Sequence, residues 1–239
     1  MIQNQLVIIL ELIFLNPKQL KAILKIILRA LLDQFLALQT LKLVKMKINA
    51  EQFLSNGGFK NDKNKLFYIS GNEETMIQKV QDLVISELKR IGYENIVKSN
   101  DVEIKTTDIK QVGGDLFGGS KILVYENPKK IDLEDLANID QKKTAIIIKE
   151  TKNSKIKKFF DNHASAMSIL CYRIGGDFKR KVLSEYLKKN NLKMERDPFL
   201  FFLENTDNRY GLFINEVEKL LYFIDTKITI EDLRKILTK

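Results

Sequence analysis

Apolar and polar positions follow a regular order from about residue 60 onward. Four short apolar runs lack the alternation of a half-buried strand, a pattern typical of strands covered on both faces. These runs are residues 66–69, 122–125, 145–148 and 168–172. Polar segments compatible with helices, 133–139 and 155–162, separate the later runs. Strands spaced by helices predict an α/β domain built on a parallel sheet.

A long helix is predicted directly after the first run. Asn72 is expected to cap this helix, while Glu73 and Glu74 fall in the first turn, where the helix dipole favours acidic side chains. Gly92 is expected to end it. Its apolar stripe at helical spacing consists of Met76, Ile77, Val80, Leu83, Val84, Leu88 and Ile91.

No further strand is predicted after Arg173-Ile174-Gly175-Gly176. One helical stripe consists of Phe178, Val182, Leu183, Tyr186 and Leu187. Helices are also predicted at 197–203 and 212–224, the latter with Val217, Leu220, Leu221 and Ile224 inward. Thr229 is predicted to cap a last helix, with Asp232 three residues on. The chain is therefore expected to hold an α/β domain at 46–174 and a small helical lid domain at 175–239, joined by a Gly-Gly hinge.

Residues 1–45 differ from the rest in having no glycine and many Leu and Ile residues. Glu11 interrupts the apolar run after ten residues, so no membrane-spanning helix is predicted. Lys21, Lys25, Arg29 and Asp33 form a narrow polar stripe, typical of a membrane-surface or partner-binding helix. The alternative interpretation, which AT-rich coding favours, is a translated upstream segment ahead of a start at Met46.

Composition excludes several kinds of site. The 239 residues include one Cys and one His, so a disulfide framework, a cysteine metal site and a paired-histidine zinc site are excluded. Cys171 is predicted to be a core thiol and His163 a loop or cap residue. A net charge of +9 is compatible with nucleic-acid binding without being diagnostic of it.

The position of a phosphate loop, between the first strand and its helix, lacks the residues that bind nucleotides. Counted from Gly71, the motif needs Gly, Lys and Ser or Thr where the chain has Met76, Ile77 and Gln78. Glu126-Asn127, after a later strand, supplies one carboxylate where hydrolysis needs an acidic pair. The sequence therefore predicts no ATPase activity, no cofactor and no metal.

Two local features allow alternative interpretations. Leu116 and Phe117 lie between the Gly113-Gly114 and Gly118-Gly119 pairs. They either pack beneath the sheet edge or are offered to the pocket of a partner, where each contributes roughly 1.5–3 kcal/mol if buried. A lysine cluster beside Phe159-Phe160 either contacts nucleic-acid phosphates or is a solvated helix face. The cluster consists of Lys152, Lys155, Lys157 and Lys158.

From Met46 onward the chain resembles the delta subunit of the bacterial DNA polymerase III clamp loader. Four stretches match the family in order. The first consists of residues 46–47 together with the strand and Gly–acidic turn at 66–74, and the second is Asp115-Leu116-Phe117-Gly118 ahead of the strand at 121–125. The third consists of residues 192–194 followed by Asn215-Glu216-Val217-Glu218-Lys219-Leu220. The fourth is Ile228-Thr229-Ile230-Glu231-Asp232-Leu233.

The resemblance implies a fold and a role. The fold would be an AAA+-like parallel-sheet domain with a degenerate phosphate loop, followed by a helical lid. Leu116 and Phe117 would insert into a hydrophobic pocket of the sliding clamp and help to open the ring. Catalysis would rest on ATPase partner subunits, so that the chain is a non-catalytic, cytoplasmic part of the polymerase III holoenzyme, a nucleotidyltransferase complex.

Further partners and alternatives follow from the same resemblance. Primer–template DNA would be met through the complex, with Lys152, Lys155, Lys157 and Lys158 as candidate phosphate contacts. The family continues into a helical collar domain beyond the lid, so the chain is expected to be a truncated or split product. The alternatives are a nucleic-acid-binding or membrane-peripheral adaptor on a degenerate phosphate-loop fold, and a nucleotide-binding enzyme.

Overall fold

A computed structural model describes residues 25, 28–29, 47–59, 64–99, 103–104, 119–131, 133–149, 155–163, 165–223 and 227–237. The chain divides into two compact units, Met1–Val44 and Lys45–Lys239. In the first unit, Lys25, Leu28 and Arg29 are helical and their side chains are exposed. Among the described helices, none combines the length and the apolar character needed to cross a membrane.

The second unit is built around a six-stranded sheet whose neighbouring strands all pair in parallel. The strand order is β1-β8-β2-β7-β5-β3. The strands are β1 (Lys47–Asn49), β2 (Leu66–Gly71), β3 (Asn95–Ser99), β5 (Lys121–Glu126), β7 (Thr144–Lys149) and β8 (Ala166–Cys171). The predicted α/β fold with a parallel sheet is confirmed.

Eight α-helices are described in this unit. They are α1 (Ala50–Ser55), α2 (Glu74–Arg90), α3 (Leu133–Ala137), α4 (Lys155–Asn162), α5 (Gly176–Lys189), α6 (Arg196–Asn205), α7 (Tyr210–Glu218) and α8 (Ile230–Ile236). A 3-10 helix, Lys219–Phe223, continues α7. The last four α-helices form the helical segment after β8, and the predicted division of the chain into domains stays a prediction.

The two faces of the sheet carry separate hydrophobic clusters. On one face, Tyr68 and Ile146 pack with Leu136 of α3 and Phe160 of α4. On the other face, side chains of β2, β7 and β8 pack with α1, α2 and the helical segment in one continuous cluster. The strands read as unbroken apolar runs because both of their faces are buried.

Two short parallel pairs lie outside the main sheet. Strand β4 (Glu103–Ile104) pairs with β6 (Lys130–Ile131), and β9 (Lys193–Met194) pairs with β10 (Lys227–Ile228). The prediction that no strand follows Gly176 is therefore wrong. Two-residue strands have no periodicity of their own, and they form here because packing brings distant backbone segments together.

Several helix boundaries differ from the predicted ones. The helix predicted at 212–224 starts at Tyr210 and becomes a 3-10 helix at Lys219. Because a 3-10 helix turns more per residue than an α-helix, Leu221 is 40% exposed rather than inward, whereas Val217 and Leu220 are buried as predicted. Ile224 lies outside the described residues.

The remaining predicted elements are found with small shifts. The last predicted strand, 168–172, is Ala166–Cys171, because Ala166 already pairs with Leu66 of β2. The helices predicted at 133–139 and 197–203 are Leu133–Ala137 and Arg196–Asn205, while Lys155–Asn162 has the predicted bounds. Helix α2 ends before Gly92, whose φ of +99° explains the glycine.

Candidate functional site

The turn after β2, where a phosphate loop would lie, is held tightly against β8. Gly71 lies opposite Cys171 in the parallel register. A Cβ atom on Gly71 would lie 1.8 Å from the carbonyl oxygen of Cys171. Since no side chain fits at that distance, only glycine allows the two strand ends to approach this closely.

Backbone amides of the turn are used within the chain. The amides of Asn72 and Glu73 both donate to the Cys171 carbonyl oxygen, at 3.1 and 3.3 Å. A phosphate-binding loop instead directs its amides towards the ligand. The first two amides after β2 are therefore turned towards β8.

Glu73 caps helix α2 in place of the predicted Asn72. Its carboxylate accepts a hydrogen bond from the Met76 amide at 2.7 Å, and its side chain is buried. The prediction of Asn72 as the cap is wrong, because the amides of both Asn72 and Glu73 bond to β8 and the first helical residue is Glu74. A helix N-terminus attracts anions, and here that anion is a carboxylate of the chain itself.

Thr75 links this turn to the helical segment. Its hydroxyl lies 2.7 and 2.9 Å from the two carboxylate oxygens of Glu73, to which it donates. Its Oγ1 atom accepts a hydrogen bond from the Gly211 amide of α7 at 2.8 Å. A Cβ atom on Gly211 would lie 2.8–2.9 Å from the Thr75 side chain, so a larger residue at 211 would force α7 away from the turn.

The carboxylate after β5 is also paired. Glu126, the acidic residue considered for nucleotide hydrolysis, lies 2.9 Å from Lys149 Nζ at the end of the neighbouring strand β7. Met76 and Ile77, at motif positions that need glycine and lysine, are buried in the core as predicted. At this edge of the sheet, the positions of a nucleotide site are filled by core side chains, a capping carboxylate and an ion pair.

The charge of Glu73 affects groups on two elements around the turn. Burial, followed by Glu73, raises the pKa of the Cys171 thiol to about 12. Burial, then Glu218 and then Glu73 raise the pKa of Tyr210. Cys171 is a buried thiol, as predicted. Among the described residues, no group of acidic, His and Cys side chains is arranged to hold a metal ion.

His163 lies at the end of α4, in the turn that leads into β8, as predicted for a loop or cap residue. Its ring stacks on Phe159 with centroids 4.9 Å apart, and Nδ1 lies 3.1 Å from Ser165 Oγ. Gln141 Nε2 donates to the same hydroxyl at 2.7 Å. Burial lowers the pKa of His163. These local hydrogen bonds give His163 and Ser165 a role in stabilising the turn.

The lysine cluster is partly described. Lys155 and Lys158 are exposed on α4 and Lys157 is half-buried, while Lys152 lies outside the described residues. Ile156 and Phe160 of the same helix are buried against the sheet. The described lysines therefore lie on the part of α4 that faces away from the core, where both a phosphate-binding role and a solvated-face role stay open.

Leu116 and Phe117 lie outside the described residues. The described chain resumes at Gly119, two residues after Phe117, and enters β5 at Lys121. The Ser120 carbonyl oxygen accepts hydrogen bonds from the amides of Glu94 and Asn95, at 3.2 and 3.3 Å.

Contacts between residues far apart in the chain were missed by the sequence pattern. The Thr75–Gly211 hydrogen bond joins residues 136 positions apart. An isolated glycine beside a helical pattern, such as Gly211, is a signal of close backbone approach, although it does not identify the neighbour. The Lys149–Glu126 ion pair is likewise set by the strand order.

The fold is an α/β fold with a six-stranded parallel sheet, and solved structures share it. The chain is similar to the Bacillus subtilis DNA clamp loader delta protein (YqeN), with a TM-score of 0.50 and 12% sequence identity. The alignment covers 79% of this chain and 61% of that chain, so this chain spans about three fifths of its length. The sequence matches no protein-family model and no curated protein.

Two Thermotoga maritima proteins show weaker similarity. The RuvB Holliday junction branch migration motor has a TM-score of 0.45 and 12% identity, with 78% of this chain and 64% of that chain covered. Domain III of the replication initiation protein DnaA has a TM-score of 0.43 and 11% identity, covering 80% of this chain and 90% of that chain.

Proposed function

We propose that this chain is a non-catalytic, delta-like subunit of a bacterial clamp loader that binds the sliding clamp and helps to open it during DNA replication. Its partners would be the clamp, the ATPase subunits of the loader and, through the complex, primer–template DNA. It would act in the cytoplasm as part of the polymerase III holoenzyme. Other subunits would hydrolyse ATP.

The observation that carries the proposal is the combination of this fold with the filled phosphate-loop position. Glu73 and Thr75 occupy the N-terminus of α2, where an AAA+ ATPase would bind phosphate, and Lys149 neutralises the carboxylate of Glu126. Such a chain keeps the shape of the ATPase fold without its nucleotide chemistry. A non-catalytic subunit of an ATPase assembly fits both properties, and the four matching sequence stretches support the clamp loader as that assembly.

Leu116 and Phe117 would supply the contact with the clamp. The chain close to them is anchored at Ser120 by two amides from the start of β3. The flanking glycine pairs would let the two side chains project from that anchor. The anchor is at the amino end of β5, whereas the filled phosphate-loop position is at the carboxyl end of β2 in the same parallel sheet. Ser120 and the filled phosphate-loop position therefore lie at opposite ends of the parallel strands.

The first test is binding of the full chain to the sliding clamp of the same organism, measured by surface plasmon resonance. The Leu116→Ala/Phe117→Ala double variant should weaken binding by about a hundredfold or more, since two buried apolar side chains each contribute roughly 1.5–3 kcal/mol. A folded wild-type protein that does not bind the clamp would refute the proposal.

A matched control uses an adjacent apolar pair on the described surface. Leu221 and Tyr222 are 40% and 82% exposed. The Leu221→Ala/Tyr222→Ala variant should keep wild-type affinity within about twofold, as expected for side chains outside the interface. Equal losses in the two double variants would show that binding does not depend on the Leu-Phe pair.

The exposed lysines of α4 favour a second candidate function, a stand-alone nucleic-acid-binding module. Lys155 and Lys158 are exposed on a helix whose Ile156 and Phe160 side chains are buried against the sheet. Binding of the isolated chain to DNA with a steep dependence on salt would support this function. Replacing both residues with Gln should then lower the salt slope by about two, whereas an unchanged slope would exclude them as phosphate contacts.

A further inference from the structure

The junction between the sheet and the helical segment is closed by a chain of hydrogen bonds at the filled phosphate-loop position. The Glu73 carboxylate accepts from the Thr75 hydroxyl, and Thr75 Oγ1 accepts from the Gly211 amide at 2.8 Å. We infer that this Glu73–Thr75–Gly211 chain locks the helical segment to the sheet in one orientation that does not respond to nucleotide. The inference does not depend on the identity of any partner.

The lock supplies hydrogen-bond acceptors to the first backbone amides of two helices, α2 and α7. Helix α7 has no side-chain hydrogen bond from its own N-cap residue, Arg209. The first amides of a helix have no acceptor within it, and the Gly211 amide finds one in Thr75, which belongs to α2. Glu73 caps α2 through the Met76 amide and also holds the Thr75 hydroxyl. One carboxylate therefore organises both helix starts.

Steric fit allows little room for another arrangement. Gly71 is fixed against Cys171, and Gly211 lies so close to Thr75 that a Cβ atom would be only 2.8 Å from its methyl group. An anion entering the N-terminus of α2 would have to displace the buried Glu73 carboxylate and break the link to α7. Among the described residues, a nucleotide phosphate at this helix start would therefore compete directly with the Glu73 carboxylate.

Two further contacts hold the connection that follows β8. The Ile174 amide donates to the Asn208 carbonyl oxygen at 2.8 Å. The Gly175 amide donates to Glu51 Oε1 at 2.6 Å, which places a carboxylate of α1 at the start of α5. The glycine pair that the sequence suggests as a hinge is thus tied to the sheet side by Glu51 and to the loop before α7 by Ile174.

Amide hydrogen exchange of the full chain tests the lock at one atom. Protection of the Gly211 amide depends on Thr75, because the helix itself supplies no acceptor at that position. We expect this amide to exchange slowly in the wild type, and about tenfold faster in Thr75→Val, which keeps the shape but removes the hydroxyl. Thr75→Ser, which retains the hydroxyl, should stay within about threefold of the wild type.

Spin-label distances test the orientation itself. Lys79 on α2 and Lys188 on α5 are exposed, and Cys171 is buried with a pKa raised to about 12, so labels attach to Lys79→Cys and Lys188→Cys without removing the native thiol. One narrow distance distribution is expected, unchanged by millimolar Mg-ATP or inorganic phosphate. Thr75→Val should broaden it.

Three results would overturn the inference. The first is a Gly211 amide that exchanges in the wild type at the rate of an unstructured peptide. The second is a label distance that shifts on addition of Mg-ATP or phosphate. The third is a folded Thr75→Val protein with unchanged exchange and unchanged distances. None of these results bears on clamp binding, so failure of the lock and failure of the proposed function are separable.

Discussion

Lys179 is a buried cation that serves the helical segment. It is 3% exposed, and its Nζ atom donates to the carbonyl oxygens of Leu203 and Thr206 at 2.7 and 2.8 Å. These carbonyl groups lie at the end of α6, where a helix leaves acceptors unpaired and favours positive charge. Burial lowers the pKa of Lys179, and Asp207 acts in the opposite direction.

Replacing Lys179 with Met should lower the free energy of unfolding by about 1–3 kcal/mol, because buried carbonyl oxygens lose their donor while the side-chain volume is kept. Urea unfolding of the full chain measures the change. Lys188→Met, an exposed position on the same helix, should change the free energy by less than about 0.5 kcal/mol. Equal effects of the two substitutions would contradict the capping role of Lys179.

A helix start is stabilised when side chains accept hydrogen bonds from its first backbone amides. In α8 these side chains come from the start of the helix itself. Thr229 Oγ1 accepts from the Asp232 amide, and the Asp232 carboxylate accepts from the Thr229 amide. This reciprocal pair is the capping box that the sequence predicts. Helix α7 differs, since its first turn is capped by Thr75 from another element.

Thr229→Ala should destabilise the chain by about 1 kcal/mol, the usual cost of losing a helix cap. Thr229→Ser keeps the hydroxyl and should be close to wild type in the same urea titration. The hydrogen bonds from Thr229 lower the pKa of Asp232. Stabilisation by the ionised carboxylate is therefore present at neutral pH and lost as the pH falls through that lowered value. A Ser variant as unstable as the Ala variant would exclude the cap.

Strands were predictable where both faces are buried and were missed at the edges. The central strands β2, β5, β7 and β8 appear in the sequence as apolar runs. Edge strand β3 (Asn95–Ser99) has mostly exposed side chains, including Val97 at 48% exposure. Its strand conformation is imposed by pairing with β5. Composition alone does not mark such a strand, since context outweighs intrinsic β-propensity there.

The sheet and the helical segment of the second unit contribute side chains to a common hydrophobic core. Among the described residues, both hydrophobic clusters consist of side chains from Ile48 onward. One cluster contains Ile174, Phe178, Phe202 and Phe213 together with side chains of β2, β7 and β8, so it extends from the sheet into the helical segment. The sheet and the helical segment are therefore expected to unfold together.

A protein that starts at Met46 should fold and unfold in one transition, with a free energy of unfolding within about 1 kcal/mol of the full chain. Urea titrations of both proteins, followed by circular dichroism, give the comparison. Aggregation of the shorter protein, or a larger loss of stability, would show that residues 1–45 contribute to the fold and would speak against the upstream-segment interpretation.

Alkaline pH should destabilise the folded chain. Burial, then Asp140, raises the pKa of Tyr93 from 10.0 to about 12, and that of Cys171 rises from 9.0 to about 12. A raised pKa means that the folded state holds its proton more tightly. This contribution is complete below the ordinary pKa values and is lost as the pH rises to about 12.

The Tyr93→Phe variant measures how much the Tyr93 hydroxyl contributes to the loss of stability at alkaline pH. The Tyr93 hydroxyl donates to the Gln141 carbonyl oxygen at 2.5 Å, so the variant should be less stable at pH 8 and should lose less stability on going to pH 11. Tyr222→Phe, at a position 82% exposed, serves as the control for the added tyrosine charge. Identical pH profiles for the two variants would contradict the burial effect at Tyr93.

The sequence by itself determined the α/β class, the central strands, most helices and the loss of the nucleotide motif. These features depend on residues close together in the chain, because strand runs, helical stripes, caps and motif positions are local. The core positions of Met76 and Ile77 were predicted for the same reason. The close approach of Gly71 to Cys171 was not, because it depends on which strands are neighbours.

Only the tertiary structure decided how the filled site is closed. Thr75 meets Gly211, Glu51 meets Gly175 and Lys149 meets Glu126. Each pair joins elements that are separate in the sequence, so no periodicity or spacing links them beforehand. Packing of the two faces of the sheet fixes where the elements lie, and these polar contacts form because that arrangement places a donor opposite an acceptor.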